Sequence, residues 1–378
     1  MALEVKKHVR YFEMCLASFP SQAESEDSNK LALVYFCLQG LQILRHLDFS
    51  ESDRTGYSQY IYSYLITMGN RQGFRPSRTF NIDGNERKND EKSYDMPSIS
   101  ATFFALVSLL ALESDYTKRI DRQKIIQFVN SCQIRDGPDK GAFRPTLDVN
   151  GVAFGDADMR TTYMAVGIGR LCNLIDDLDV PSIIGYVTSR VSLSGGLSSS
   201  PYCEPHAGFT FCGLATLKLL DYDFGSANWT SNTLHWLVSR QVNYSNEIYS
   251  TLPSYPSWNQ EDDGAFNGRD NKFADTCYSW WCTASMHLMN SDYLGLTNIR
   301  EATKFLLGRT QNRLLGGFGK SHESRPDPLH SFLALASLAL WSGADSTTTP
   351  DYNLDSVDDA LVISGQSVAF LSKLWLPQ

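Results

Sequence analysis

The chain has 378 residues, 42% hydrophobic and 20% charged, enough to bury a large core. A net charge of −9 without a basic stripe argues against a nucleic-acid binder. No apolar run is long enough to cross a bilayer, so no transmembrane segment is expected, and Met1-Ala2-Leu3-Glu4-Val5-Lys6-Lys7 lacks a signal peptide's apolar stretch. The eight cysteines, scattered from Cys15 to Cys282 without a CxxC, read as reduced thiols of a cytoplasmic protein.

In chain order, Val9–Ser18 and Lys30–Leu44 form a first helical pair. Five glycine turns then recur: Gly73-Phe74, Gly141-Ala142-Phe143, Gly195-Gly196-Leu197, Gly264-Ala265-Phe266 and Gly316-Gly317-Phe318. After each comes a polar loop and a helix rich in small and aromatic residues: about Ser98–Ala111, Met159–Leu171, Thr210–Leu220, Thr276–Met289 and Leu329–Leu340. Between them run amphipathic segments at Lys124–Gln133, Pro181–Val191, Thr233–Gln241 and Ile299–Thr310. Little alternates with period two, so the fold class is all-α. One nearly all-apolar and one amphipathic helix per repeat predict inner and outer rings of an α/α toroid of about six hairpins. The glycine turns would lie at one end, beside the inner helices' N-termini. No linker divides residues 1–378, which read as one domain, and Gln22–Asn29, Asp83–Asp95 and Ala344–Asp359 read as polar loops.

The chemistry concentrates in Gly268-Arg269-Asp270-Asn271-Lys272-Phe273-Ala274-Asp275-Thr276-Cys277-Tyr278-Ser279-Trp280-Trp281. On a regular helix Asp275 and Cys277 would point to nearly opposite sides. With Asp275 as the N-cap and Cys277 in the first turn they can converge, as two ligands of a zinc site. His330, in Pro326-Asp327-Pro328-Leu329-His330-Ser331-Phe332, is the candidate third, leaving one coordination position open, as in catalytic sites. Singly, Cys277 reads as a core thiol, Asp275 as a cap, His330 as an ordinary histidine, and Arg269 with Lys272 as solvated cations.

Asp275-Thr276-Cys277-Tyr278-Ser279-Trp280-Trp281, the preceding Gly268-Arg269-Asp270-Asn271-Lys272, and Asp327-Pro328-Leu329-His330 resemble the β subunits of protein prenyltransferases, over nearly the whole chain. The resemblance implies an α/α barrel in which Asp275, Cys277 and His330 bind Zn²⁺. The C-terminal-box (CaaX) cysteine of a protein substrate then attacks C1 of an isoprenoid diphosphate. His206, Arg269, Lys272 and Tyr278 are the implied diphosphate donors. Arg160 and Tyr163 match the pair bordering the isoprenoid, and Trp281 and Phe36 match aromatic walls of its cavity. An α subunit of helical repeats is the implied heterodimer partner and contributes a lysine to the diphosphate site.

Three positions bear on the branch. Ala32 stands where farnesyl-transferring relatives carry a tryptophan closing the lipid pocket, which favours a twenty-carbon chain. Leu329 precedes the zinc histidine where the farnesyl enzyme has tyrosine and the Rab-type enzyme phenylalanine, and it is the candidate peptide-pocket residue. Lys320 replaces an aspartate that helps hold magnesium in the farnesyl enzyme, so Mg²⁺ is expected to be dispensable. These point to the type I, geranylgeranyl-transferring branch acting on CaaX proteins such as Rho-type small GTPases; the farnesyl and Rab branches are the nearest alternatives. From other classes, an α/α-barrel glycoside hydrolase would use carboxylates among Asp156, Asp158, Asp262 and Asp263. A non-catalytic scaffold would close the metal shell with a fourth protein ligand.

Overall fold

The computed structural model describes residues 2–18, 21–79, 95–243, 259–344 and 351–376. Among these residues the α-helices are α1 (Val5–Ala17), α2 (Lys30–Ile43), α3 (Glu51–Tyr62), α4 (Ile99–Ala111), α5 (Arg122–Ser131), α6 (Met159–Leu171), α7 (Val180–Thr188), α8 (Ala207–Leu219), α9 (Thr230–Val238), α10 (Thr276–Met289), α11 (Ile299–Phe305), α12 (Pro328–Ala344) and α13 (Gly365–Leu374). The described strands form isolated antiparallel hairpins: β1 (Leu65–Met68) with β2 (Arg71–Phe74), β3 (Thr146–Leu147) with β4 (Ala153–Phe154), β5 (Phe318–Gly319) with β6 (Pro326–Asp327), and β7 (Val357–Asp358) with β8 (Ile363–Ser364).

The chain divides into two compact units. One contains Met1–Ser18, Gln39–Leu47 and Ser189–Gly365; the other contains Phe19–Leu38, Asp48–Thr188 and Gln366–Gln378. In the first, α10 packs between α8 and α12, burying Phe211, Trp280, Phe332 and Trp341. In the second, α4 packs against α6 and α5 against β2, around Leu106, Val107, Phe128 and Val166. These apolar interiors supply the main stabilisation, since each fully buried large side chain contributes roughly 1.5–3 kcal/mol.

The glycine–aromatic repeat has a local cause. The N–H after the turn donates to the hydroxyl of the fifth residue counted from the position before the next helix. Phe74 bonds Thr102 at 3.0 Å, Phe143 Thr162 at 3.4 Å, Leu197 Thr210 at 2.9 Å and Phe318 Ser331 at 2.8 Å. Each turn is thereby tied to the first turn of the following apolar helix. The last repeat takes its outer partner from the other end of the chain. A Cβ on Gly316 (φ +83) would lie 2.1 Å from the carbonyl oxygen of Lys7 in α1, so only glycine fits. His8 locks this closure, accepting the N–H of Gly317 at 2.8 Å, meeting Gln311 at 2.9 Å and stacking on Phe318. Burial lowers its pKa to about 4, so it stays neutral there.

Several expectations need correction. α3 lacks a clear apolar stripe and went unpredicted; Ser50 caps it by accepting from Asp53, and Ser58, Ile61 and Tyr62 bury its end. α13 likewise does not follow from the repeat pattern. Residues Ile299–Thr310 are not one helix, because Leu306–Thr310 winds as a π turn after α11. Gln22–Asn29 lies in a 3₁₀ helix (Ser21–Asn29), whose Asp27 accepts from Thr79 at 3.0 Å and also from Ser77. Of Asp83–Asp95 only Asp95 lies within the described residues, buried beside Arg75 at 2.5 Å. Of Ala344–Asp359, β7 is ordered into a hairpin, and the N–H of Asp355 donates to Ile43 at 2.8 Å. Most of Leu252–Gln260, which matches no motif, lies outside the described residues.

Candidate metal centre and anion site

The apolar helices begin alike. Ser98, Asp158, His206 and Asp275 precede α4, α6, α8 and α10 in extended backbone, and each side chain accepts an N–H of the first turn. Asp327 does the same for the N–H of His330 at 3.0 Å. Among the candidate residues, His206 and Asp275 are themselves caps, and Arg160, Tyr163, Cys277, Tyr278, Leu329 and His330 lie two to five positions after one.

In the first unit, Asp275, Cys277 and His330 offer ligand atoms that all lie within 4.8 Å of one another. Asp275 Oδ1 accepts the N–H of Cys277 at 2.9 Å and lies 3.0 Å from His330 Nε2. The other ring nitrogen, Nδ1, is 2.6 Å from Asp327 Oδ2. Burial opposes charge on this imidazole, but the two carboxylates prevail and raise its pKa to about 9. Burial likewise opposes the Asp275 carboxylate, which the bonds from His330 and Cys277 nevertheless hold below its ordinary range. Cys277 is pushed up, first by burial and then by Asp275. Without a metal the centre therefore holds a thiol, a carboxylate and a protonated histidine. A carboxylate, a sulfur and an imidazole, buried and convergent, form a donor set that fits zinc.

Beside it lies the candidate anion site. His206 Nδ1 accepts the N–H of Gly208 at 3.0 Å, so in the neutral ring the proton is on Nε2, which meets Tyr278 Oη at 3.1 Å. That leaves the phenol's own hydrogen to be donated elsewhere. Burial first, then the neighbouring Cys277 and Asp275, raise the pKa of Tyr278, keeping it a donor. Its ring lies on Gly268, where a Cβ would come within 2.1 Å of it, and Gly268 in turn accepts the N–H of Ala207 at 2.9 Å. Arg269 is 3.3 Å from Glu204, and Lys272 is exposed. Lys320 Nζ is 3.8 Å from Asp275 Oδ2, and the Lys320 carbonyl accepts the N–H of Thr276 at 3.0 Å. Trp281 faces Phe211, ring centres 4.9 Å apart, and Leu329 sits half-buried beside His330.

The remaining candidates belong to the second unit. Tyr163 is buried with its ring 5.6 Å from Phe103, and Phe36 lies 6.0 Å from Phe104. Ala32, one turn before Phe36 on α2, is half-buried on the same face. Arg160 is paired with its own cap, Asp158, its Nε at 2.9 Å. Two of the four acids of the hydrolase alternative are otherwise engaged: Asp158 as that cap, and Asp262 accepting the N–H of Ala274 at 2.9 Å. The sequence motifs contain Asp327 and Gly268 without assigning them a role, and Glu204 lies outside those motifs; the three-residue spacing from Asp327 to His330, that of a helix cap, is the available signal. A separate cavity of about 1340 Å³, lined by Arg45, His287, Trp341 and Asp355, contains none of these residues.

The chain matches the prenyltransferase alpha-alpha toroid domain over residues 3–363 and belongs to that family. Its fold is thus the α/α toroid predicted from the repeats. Among solved structures it is similar to Candida albicans protein geranylgeranyltransferase-I complexed with GGPP, at 39% identity and a TM-score of 0.91, covering 100% of both chains. It is 26% identical to the geranylgeranyl transferase type-1 subunit beta of Arabidopsis thaliana, over 89% of this chain and 84% of that one. It is 29% identical to the protein farnesyltransferase subunit beta of Schizosaccharomyces pombe (strain 972 / ATCC 24843), over 89% of this chain and 78% of that one.

Proposed function

We propose that the whole chain acts as the catalytic β subunit of a type I protein geranylgeranyltransferase. It would move a geranylgeranyl group from geranylgeranyl diphosphate to the cysteine of a C-terminal CaaX box, with zinc as cofactor and an α subunit as partner. The observation that carries this reading is the convergence of Asp275, Cys277 and His330 next to the His206–Tyr278 pair.

Zinc held by those three residues would acidify a substrate thiol and keep it as a thiolate at neutral pH. The sulfur's electron pair forms the bond to C1 of the lipid while the C1–O bond breaks and its pair leaves on the diphosphate. Tyr278 donates its hydroxyl hydrogen toward that growing charge, oriented by the Nε2–H of His206. Arg269 and Lys272 add positive charge from the adjoining turn. Lys320 stands at the carboxylate edge of the centre and supplies a cation without added Mg²⁺. By the family resemblance, Tyr163, Phe36 and Ala32 would give the isoprenoid apolar surface, and Arg160 would border it.

Percentage identity alone does not separate the branches, since a farnesyl-transferring relative scores 29% and a geranylgeranyl one 26%. Ala32, Leu329 and Lys320, with the 39% identity to the Candida structure, favour the type I branch. No helix among the described residues is long and apolar enough to cross a membrane, and cytoplasmic action on soluble GTPases fits this. The test is competition of geranylgeranyl against farnesyl diphosphate on peptides ending in leucine or serine, with the chain paired with an α subunit. Geranylgeranyl transfer to the leucine peptide is expected; a clear farnesyl preference would remove the role given to Ala32.

A further inference from the structure

The turn Gly268–Lys272 places a carboxylate, Asp270, among the cations offered to the diphosphate. Left free, that charge would work against binding an anion. Its partner is Arg240, whose side chain is only 5% exposed and whose Nη2 bonds Asp270 Oδ1. The guanidinium lies over the Trp236 indole, 4.8 Å from the ring centre, and its Nε donates to the Trp236 carbonyl at 3.2 Å. The backbone of the same residue holds the base of the turn: the Arg240 carbonyl accepts the N–H of Asn267 at 2.9 Å, and Gln241 bridges Phe266. Asn267 also bridges Ala274, closing the loop in which Asn271, at φ +57, reverses the chain. One buried residue therefore grips both the base and the crest.

We infer that Arg240 and Asp270 form a clamp that sets the diphosphate-binding turn and makes Arg240 a positioning residue for prenyl transfer, an assignment that rests on the function proposed above. With Asp270 drawn onto Arg240, Lys272 is left to face the anion, and Arg269 is held only by its exposed pairing with Glu204. Arg240 also neutralises the one carboxylate within the turn. A buried guanidinium fixed by an aromatic face and a carbonyl has little freedom to lose, so the turn is set before the lipid arrives.

The two roles of Asp270, a repelling charge or half of a clamp, predict opposite signs for Asp270→Asn. As a repelling charge only, its removal tightens lipid-diphosphate binding. As half of the clamp, its removal weakens binding, by about tenfold for the loss of one charged hydrogen bond at the site. Titration of a fluorescent geranylgeranyl diphosphate analogue into the complex of this chain with its α subunit reads the difference. Arg240→Gln, which leaves Asp270 unpaired beside the anion, is expected to bind worse than Asp270→Asn. The double variant should recover to the level of Asp270→Asn, a suppression that general damage to folding does not produce. Asp270 is half-exposed, so Asp270→Asn decides the matter even if Arg240→Gln does not fold. Binding by Asp270→Asn equal to or tighter than the parent overturns the clamp alone. A parent complex that binds no lipid diphosphate overturns the functional reading and the clamp with it.

Discussion

Asp158 and Asp275 occupy the same place in their repeats, one residue before α6 and α10, and each accepts an N–H from the residue two positions on, at 2.8 and 2.9 Å. At α6 that residue is Arg160, whose guanidinium returns to the carboxylate and neutralises it. At α10 it is Cys277, and the charge is answered by His330, delivered from the start of α12. The cap is thus a demand of the helix, which must satisfy its first N–H groups, and it recurs whatever the chemistry. A cap becomes a candidate metal ligand when position two brings a thiol in place of a cation and the adjoining helix brings an imidazole.

The sharpest way to break this comparison is Cys277→Ala. It should leave α10 capped, because Asp275 accepts a backbone N–H that alanine retains. Zinc content should fall from near one per chain, and turnover by on the order of 10³-fold or more, the scale of a lost metal-activated nucleophile. Lipid-diphosphate binding should persist, since the donors proposed for it lie outside the triad. Metal analysis and single-turnover transfer assays check this, and full turnover in a zinc-free preparation contradicts it.

Acidity sharpens the same contrast. In the metal-free protein, His330 titrates at about 9 in place of 6.5. Its raised pKa contributes stability that is complete below about pH 6.5 and lost as pH climbs through 9. Zinc must displace that proton and the one on Cys277, so apparent zinc affinity should rise on the order of tenfold per pH unit for each proton displaced. The gap in thermal midpoint between loaded and metal-free protein should widen between pH 6.5 and 9. A gap that narrows over this window would mean that His330 does not give up its proton to the metal.

Much of this was legible in the sequence because the repeat is written in small, unambiguous signals. Gly195-Gly196-Leu197 and Gly316-Gly317-Phe318 mark turns only glycine tolerates, and the spacing from Asp275 to Cys277 already fits a cap and its first turn. What stayed hidden depends on which partner arrives from far along the chain. Nothing near Gly316 announces that α1 supplies the outer helix there, or that Arg240 reaches Asp270. α3 went unseen because its polar stretch is held by a cap at one end and buried residues at the other, not by a periodic stripe. Asp327 was visible as part of a motif but not as the carboxylate that fixes the His330 ring. Asp327→Ala should weaken zinc binding about 10- to 100-fold, measured by competition with a chromophoric chelator, the usual cost of losing the carboxylate behind a ligating histidine. Unchanged zinc affinity would return Asp327 to a plain cap.

The smallest expected effect is the control that gives the comparison meaning. Asp158→Ala removes the same kind of cap as Asp275 supplies, at a helix start without a thiol or a histidine. The cost should be about 1 kcal/mol of stability, read as a shift in the denaturant midpoint, because the first-turn N–H groups of Arg160 and Thr161 lose their acceptor. Arg160 also loses its ion pair with Asp158, so the KM for lipid diphosphate should change modestly while zinc content stays at the parent level. Loss of zinc from Asp158→Ala would show that capping failures spread through the repeats to the metal centre. Retained zinc places the difference between α6 and α10 in the side chains after the cap.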